Sequence, residues 1–410
     1  MGRTAGGGRT AQADGDLGFV NLRTGTLTGM AGFAVVICGG GIAGIEGLLR
    51  LRRLAGDQVD VTLLSPADYL LYRPLAVLEP FTGAAARRYE IQRIVADAGA
   101  RWVRDGLAWV DRDQRVVHTD SGHELPYDAL LLAIGGHELP SSEHAVVFNG
   151  RNAEHTYGGV LAAVEAGDIG SLAFILPDGP TWPLPLYELA LLTAQRSRDC
   201  DRRLDIAFIT PEPRPLHAFG GDAGEAMTRL LEQAGVDLYA DSSADVAGPA
   251  HLILRPSGLE LYPDRIVTMP AITGPAIRGI PGFAIDKFLH VDEFCRVRDT
   301  DGRIFAAGDA TDLPVKQGGV GAQQADTAAA AIAQLAGAAG APSPLRPVIR
   351  GMLLTGRDPL YLTAHLLAGR GWLAQIFDER PWPVDAKIVA EELGPYLDAF
   401  EPSVPQTPAG

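Results

Sequence analysis

The chain has 410 residues, and its 35 Lys and Arg against 50 Asp and Glu give a net charge of −15. An apolar share of 47% and a charged share of 21% are typical of a globular protein, which excludes collagen-like and disordered chains. The three cysteines form no C-x-x-C or Cys/His spacing, so neither a disulfide scaffold nor a metal site is predicted. The acidic balance excludes a nucleic-acid partner, which would require a clustered basic face.

The beginning of the chain, residues 1–29, is rich in Gly, Thr and Ala and has no apolar periodicity. This composition predicts a disordered leader, although Met30 leaves a mis-assigned start as an alternative. No stretch approaches the roughly 20 apolar residues that cross a bilayer. We therefore expect a cytoplasmic protein without a transmembrane segment, and leave open a homodimer and peripheral contact with the inner face of the membrane.

The first strong motif is a glycine cluster that follows a continuous apolar run, Phe33–Cys38, which is typical of a strand buried in a parallel sheet. Gly39, Gly41 and Gly44 form G-x-G-x-x-G, and a helical pattern and a second strand, Val59–Leu64, follow. In this strand–helix–strand context the motif predicts dinucleotide binding. The first glycine permits the tight turn, the second lets a pyrophosphate approach, and the third brings helix and strand together.

The acidic residue expected to bind the adenosine ribose is missing after the second strand. Ser65 occupies that place, and a hydroxyl accepts a hydrogen bond less strongly than a carboxylate. Asp68 is the alternative ribose ligand.

Two further segments have the composition of buried strands that end in small residues. Residues 127–136 read YDALLLAIGG, and residues 302–311 read GRIFAAGDAT. The second is followed by a loop with three glycines, Gly318, Gly319 and Gly321, which opens an Ala-rich helix. A helix N-terminus placed there can stabilise a developing negative charge.

These three motifs, in this order over roughly residues 34–335, resemble the FAD-dependent pyridine nucleotide-disulfide oxidoreductase superfamily. The turn Tyr72–Leu75 resembles the branch that contains type II NADH dehydrogenases and sulfide:quinone reductases. The resemblance implies an α/β fold with two Rossmann-like, three-layer ββα dinucleotide-binding domains and a small C-terminal region. The implied division is a leader at 1–29, an FAD-binding domain at 30–150 and 285–340, a second Rossmann-like domain at 151–284, and a C-terminal lid or interface region at 341–410.

FAD is the cofactor that the resemblance implies, with Asp309 on the ribityl chain and the start of the Ala-rich helix at the flavin ring. Ile134 replaces the threonine that is usual in the central motif, which removes one hydroxyl. The residues expected to contact FAD are Gly39, Gly41, Ile42, Ala43, Gly44, Ser65, Arg73, Pro74, Ala133, Gly135, Gly308, Asp309, Gly319 and Val320.

A second glycine cluster, which would bind NAD(P)H, is absent from this chain. The expected strand is present at 171–176, but Trp182 and Leu184 stand where glycines would let a pyrophosphate approach. We favour the interpretation that NAD(P)H does not bind there in the usual pose. The alternative is a divergent nucleotide site, with Glu212 on the ribose and Arg214 on a phosphate.

Three side chains are candidates for catalysis near the flavin. Lys316 either stabilises the reduced ring or is a solvated loop charge. Trp182 either covers the flavin or packs at an interface, and Glu188 is a candidate proton relay. The isolated cysteines argue against persulfide chemistry, which requires thiols that face the flavin.

The predicted function is an FAD-dependent oxidoreductase that passes electrons through flavin N5 to a quinone or another small-molecule carrier. Two alternatives remain open. One is an NAD(P)H dehydrogenase with an atypical nucleotide site, and the other is a flavin-binding scaffold or redox sensor without turnover.

Overall fold

The computed structural model describes residues 32–83, 86–139, 142–151, 153–282, 287–367, 371–382 and 387–400. The predicted leader at 1–29 lies outside these ranges.

The helices are α1 (Ile42–Ala55), α2 (Glu79–Thr82), α3 (Ile91–Asp97), α4 (Ala153–Ala166), α5 (Leu184–Asp199), α6 (Gly220–Ala234), α7 (Gly318–Leu335) and α8 (Leu393–Asp398). The strands are β1 (Phe33–Cys38), β2 (Val59–Leu64), β3 (Tyr69–Tyr72), β4 (Arg87–Glu90), β5 (Arg101–Val103), β6 (Leu107–Asp111), β7 (Val116–Thr119), β8 (Glu124–Pro126), β9 (Ala129–Leu132), β10 (His137–Glu138), β11 (Val146–Val147), β12 (Ser171–Ile175), β13 (Asp205–Ile209), β14 (Val236–Tyr239), β15 (Ser243–Gly248), β16 (His251–Arg255), β17 (Glu260–Leu261), β18 (Arg265–Thr268), β19 (Ile272–Thr273), β20 (Ile304–Ala306), β21 (Val348–Leu353), β22 (Leu360–Leu367) and β23 (Gly371–Phe377).

The first large sheet contains five parallel strands in the order β20-β9-β1-β2-β5. Strand β1 pairs with β2 on one side and with β9 on the other, so the strand order reverses beside β1. Open α/β sheets bind ligands outside the carboxyl ends of their strands at such a reversal. The turns that begin at Gly39 and Ala133 both lie at this edge.

The second large sheet is also parallel, in the order β11-β18-β12-β13-β14. Helix α5 connects β12 to β13 and begins at Leu184, with Pro185 in its first turn. Tyr187 on this helix stacks on Phe208 of β13, with ring centroids 4.2 Å apart. Two parallel sheets with helices between their strands confirm the predicted α/β, Rossmann-like fold class. The predicted domain boundaries remain predictions.

The C-terminal part contains an antiparallel sheet, β21-β22-β23, which the sequence analysis does not anticipate. Burial alternates along β21, with Ile349 and Leu353 packed into the core around β12 and α5. On α7, the amide of Gln323 bonds both the N–H and the carbonyl of Val348, at 2.9 and 3.0 Å. This sheet therefore ties the long α7 helix to the second core.

Every helix in the described ranges is too short or too polar to cross a bilayer.

Candidate functional site

The turn after β1 is built so tightly that two of its glycines are required by the protein itself. Gly39 has φ +115°, and a Cβ on it would lie 2.2 Å from the carbonyl oxygen of Ala133. A Cβ on Gly44 would lie 1.8 Å from the carbonyl oxygen of Gly39. Both positions therefore exclude any side chain, because real Cβ atoms do not come so close to a backbone oxygen.

Gly41 has a different environment, since a Cβ on it would meet no protein atom within 4 Å. The open space lies at the first turn of α1, where the N–H groups of Ile42 and Ala43 have no acceptor among the described residues. Free N–H groups and the positive end of a helix dipole favour an anion. The arrangement fits the pyrophosphate of a dinucleotide.

Ser65 lies beneath this turn and is buried. Its Oγ accepts a hydrogen bond from the N–H of Ala67 at 3.3 Å and would lie 2.6 Å from a Cβ on Gly40. Asp68, the alternative ribose ligand, is paired with Arg104 at 2.6 Å. Of the two predicted candidates, Ser65 is the one that lies directly against the glycine turn.

The end of β20 is held in place by a glutamine from α7. The N–H of Gly308 donates to Oε1 of Gln324 at 2.9 Å, and Nε2 of Gln324 donates to Oγ1 of Thr311 at 2.9 Å. Gly308 has φ +79°, a conformation that favours glycine. These bonds fix the backbone on both sides of Asp309.

The carboxylate of Asp309 accepts no hydrogen bond from the described residues. Burial raises its pKa, and the positive charges of Lys316 and Arg73 oppose that rise. Arg73 donates from Nη1 to the carbonyl of Asn149 at 2.5 Å. Asp309 is half-buried, and the hydroxyls of a ribityl chain can donate to a carboxylate in this position.

Lys316 is buried, so the interpretation of this residue as a solvated loop charge is wrong. Its Nζ donates to the carbonyl of Thr311 at 2.6 Å and lies 3.6 Å from the ring centroid of Phe288. The ammonium therefore stands beside the turn that carries Asp309. Its predicted role in stabilising a reduced ring stays a prediction.

The first turn of α7 also presents backbone N–H groups. The N–H groups of Val320 and Gly321 bond the carbonyl of Gln317, whereas those of Gly318 and Gly319 have no acceptor among the described residues. Nε2 of Gln317 donates to the carbonyl of Arg350 at 2.6 Å. The helix start is thus anchored to β21 and has free donors for an electron-rich ring.

Arg350 is a candidate that the sequence analysis does not single out. It is half-buried, burial lowers the pKa of its guanidinium, and it has no acidic partner among the described residues. Its position next to the start of α7 depends on the contact between β21 and Gln317. The sequence analysis does not predict β21, so it does not place Arg350 near the site.

The crevice at the end of β12 contains side chains of the protein itself. The ring of Trp182 packs edge-on against Phe219 with centroids 5.8 Å apart. The hydroxyl of Tyr187 donates to Glu212 at 2.7 Å, and the N–H of His217 donates to the same carboxylate at 2.9 Å. Glu212, the residue proposed for a ribose in the alternative nucleotide site, is therefore already engaged by internal donors.

Glu188 is fully buried and forms an ion pair with Lys387, whose Nζ lies 2.5 and 2.7 Å from its two oxygens. The N–H of Leu354 donates to the same carboxylate at 3.0 Å. Burial raises the pKa of Glu188, and the Lys387 ammonium opposes that rise. The proton-relay role stays a prediction.

The three cysteines are free thiols. Cys38 and Cys295 are fully buried, and burial raises the pKa of both thiols. Cys200 follows the end of α5 and is half-buried. Since the thiolate is the nucleophile, the two buried cysteines are in environments that suppress persulfide formation.

The comparisons with known proteins point to one family. The family model for pyridine nucleotide-disulphide oxidoreductases matches residues 33–175. The mitochondrial sulfide:quinone oxidoreductase of Mus musculus is 30% identical over 123 residues, which cover 29% of this chain and 26% of that protein. The sulfide-quinone reductase of Aquifex aeolicus is 26% identical over 317 residues, or 68% of this chain and 69% of that protein. The chain thus spans only about a quarter of the mouse relative.

Solved structures show the same fold. The sulfide:quinone oxidoreductase from Aquifex aeolicus superimposes with a TM-score of 0.73 at 19% identity, covering 84% of this chain and 87% of that one. A NAD-dependent persulfide reductase from A. fulgidus gives a TM-score of 0.60 at 17% identity, covering 81% and 64%.

The matched residues begin with β1 and its glycine turn and end in β12. Over this part the chain is similar to the pyridine nucleotide-disulphide oxidoreductases, and its fold is shared with the sulfide:quinone oxidoreductase from Aquifex aeolicus.

Proposed function

We propose that this oxidoreductase takes electrons from a donor other than NAD(P)H and passes them through FAD to a quinone or a similar carrier. The proposal extends to this chain the acceptor that is printed in the names of its relatives.

The observation that carries the proposal is the contrast between the two Rossmann crevices. Space is open at Gly41, beside N–H groups that have no acceptor in the described part of the chain, where the first crevice would hold a pyrophosphate. In the second crevice Trp182 packs on Phe219, and Glu212 is bonded by Tyr187. A nicotinamide nucleotide bound in the usual pose would compete with these contacts.

The buried thiols bear on the identity of the donor. Persulfide chemistry requires a thiolate that can be reached, and the pKa of Cys38 and Cys295 is raised by burial. We therefore propose a donor that reduces the flavin without a cysteine relay.

FAD, when bound, supplies the two-electron chemistry. The residues of the chain bind and orient it: the first turns of α1 and α7 offer backbone N–H groups, and Asp309 offers an acceptor for a ribityl hydroxyl. Lys316 and Arg73 place positive charge beside that carboxylate. Their charge favours a more electron-rich flavin in this site.

An anaerobic absorbance titration of the FAD-loaded protein tests the proposal. We expect NADH and NADPH to leave the flavin band unchanged, and a short-chain quinone to reoxidise chemically reduced protein rapidly. Rapid bleaching by NADH would instead establish the NAD(P)H dehydrogenase alternative. Chemically reduced protein that is not reoxidised by any quinone would favour a scaffold or sensor, and a protein that cannot retain FAD would refute all three.

A further inference from the structure

The two Rossmann helices carry a glutamate at the same place. Glu46 is the fifth residue of α1 and Glu188 is the fifth residue of α5, and both are 0% exposed. A buried carboxylate is costly unless it is paired or bonded. Both glutamates find their partners in one short segment near the end of the chain, residues 387–393, which we call the C-terminal strap.

Glu46 bonds the backbone of the strap at its far end. Its carboxylate accepts the N–H groups of Glu391, Glu392 and Leu393 at 2.7, 2.9 and 2.6 Å. These are the donors that precede and open α8, so Glu46 caps that helix from another part of the chain. Arg50, one turn further along α1, adds an ion pair to Glu392 at 2.8 Å.

Glu188 holds the near end of the strap through Lys387. The pair has side-chain exposures of 0% and 8%, and it is bidentate. Removing one partner of such a pair leaves an uncompensated buried charge, whereas replacing both partners can be neutral for stability. The pair therefore fixes where the strap begins.

Between these two anchors the strap lies against the first residues of α7. Cδ1 of Ile388 is 3.1 Å from the Cβ position of Gly318, and the N of Val389 is 3.7 Å from that of Gly319. A side chain at Gly318 would make a tight contact with Ile388 of the strap. Apolar Ile388 and Val389 thus stand beside the N–H groups that face the expected flavin ring.

We propose that Glu188, Lys387 and Glu46 are positioning residues that hold the C-terminal strap as one wall of the acceptor site, for an apolar ring such as a quinone. The inference rests on the proposed function. Helix α5 begins with Leu184 and Pro185, and it contacts the strap through Glu188.

The test compares Lys387→Met with the double variant Glu188→Gln/Lys387→Met in the full-length, FAD-loaded protein. The single variant should lower the melting temperature because Glu188 is left buried and unpaired, and the double variant should restore it. In the double variant we expect faster amide exchange in residues 388–393 and at least a fivefold rise in KM for a short-chain quinone. The rate of chemical reduction of the flavin should stay unchanged.

Arg196→Gln is the matched control, because Arg196 lies on the outer side of α5 and pairs with Glu165 at 2.7 Å, away from the strap. It should leave exchange and KM at wild-type values. Unchanged exchange in the double variant, or faster exchange with a wild-type KM, would overturn the proposal. Failure of wild-type protein to be reoxidised by quinone would remove the proposed function and the acceptor role together, while the exchange rates would still decide whether the ion pair fixes the strap.

Discussion

A glycine can be required by the protein around it or by a ligand beside it, and the turn after β1 contains both kinds. Gly39 and Gly44 are forced by carbonyl oxygens at 2.2 and 1.8 Å, whereas Gly41 faces open space. The spacing of the three glycines is visible in the sequence, because the motif is local. The reason for Gly39 is not visible there, since the close oxygen of Ala133 belongs to the turn after β9, about ninety residues later in the chain.

Substitutions at Gly41 and Gly44 should separate an effect on FAD binding from an effect on the stability of the fold. Gly41→Ala should keep the apoprotein stable, because Gly41 has φ −84° and free space, but it should weaken FAD binding tenfold or more, or about 1.4 kcal/mol. Gly44→Ala should lower stability by roughly 1–3 kcal/mol, as overpacking does. FAD titration by fluorescence and denaturant unfolding of the apoprotein measure the two effects. Wild-type FAD affinity in Gly41→Ala would contradict the assignment of this turn to the pyrophosphate.

At the scale of elements, the junction of α1, α7 and α8 contains two acidic side chains close together. The carboxyl group of Asp326 on α7 interacts with that of Glu46 on α1, which itself accepts three N–H groups of the strap region. Burial and the Glu46 charge raise the pKa of Asp326 to about 9, and Arg50 opposes that rise. We infer that Asp326 holds the proton and Glu46 the charge.

The pH dependence of stability follows from this pair. Because the pKa of Asp326 is higher in the folded than in the unfolded state, the folded state binds more protons between about pH 4 and pH 9, and stability falls as pH rises through that window. Asp326→Asn removes the titration. It should therefore match the wild type in acid and become progressively more stable than the wild type towards pH 9, in melting temperatures measured across this range.

Asp57→Asn is the control for this experiment, because Asp57 is fully exposed and lies 3.9 Å from Arg52 at the surface. It should parallel the wild type at every pH. A difference between Asp326→Asn and wild type that does not change with pH would show that Asp326 is ionised in the folded protein.

Helices and strands that have a local sequence pattern could be predicted from the sequence. Features that depend on contacts between distant parts of the chain could not. Helix α7 and strand β12 follow from an Ala-rich helical run and a continuous apolar run, and both are present. The antiparallel C-terminal sheet was missed because its strands follow no motif of the resembled family. The ion pair between Glu188 and Lys387 joins residues 199 positions apart, a separation at which spacing carries no information.

At the scale of the whole molecule, the resemblance to the family was predictable because three short motifs occur in a fixed order, and the comparisons confirm the resemblance. The contact residues for FAD remain predictions, as does the donor. The contacts of Trp182 and Glu212 are with residues of other elements, Phe219 and Tyr187, which no local pattern specifies.

Cofactor binding should stabilise the whole fold and not only one sheet. FAD at a hundredfold excess over its Kd should raise the free energy of unfolding of the apoprotein by about 2.7 kcal/mol in a single transition. NADH at the same concentration should give no shift, because Trp182 and Glu212 already have partners within the protein. Calorimetry of the apoprotein with each nucleotide measures this, and an upward shift with NADH would count against the proposed function.

The strand order has a consequence for biosynthesis. Strand β20 completes the first sheet beside β9, although the whole second sheet lies between them in the chain. On a ribosome, the interval between these two strands lasts roughly ten to thirty seconds at typical rates of elongation. The nascent chain therefore exposes an unfinished sheet edge at β9 for that time, and the second sheet, whose strands all lie between β9 and β20 in the chain, can fold first. We expect the cofactor to be acquired only after α7 has emerged.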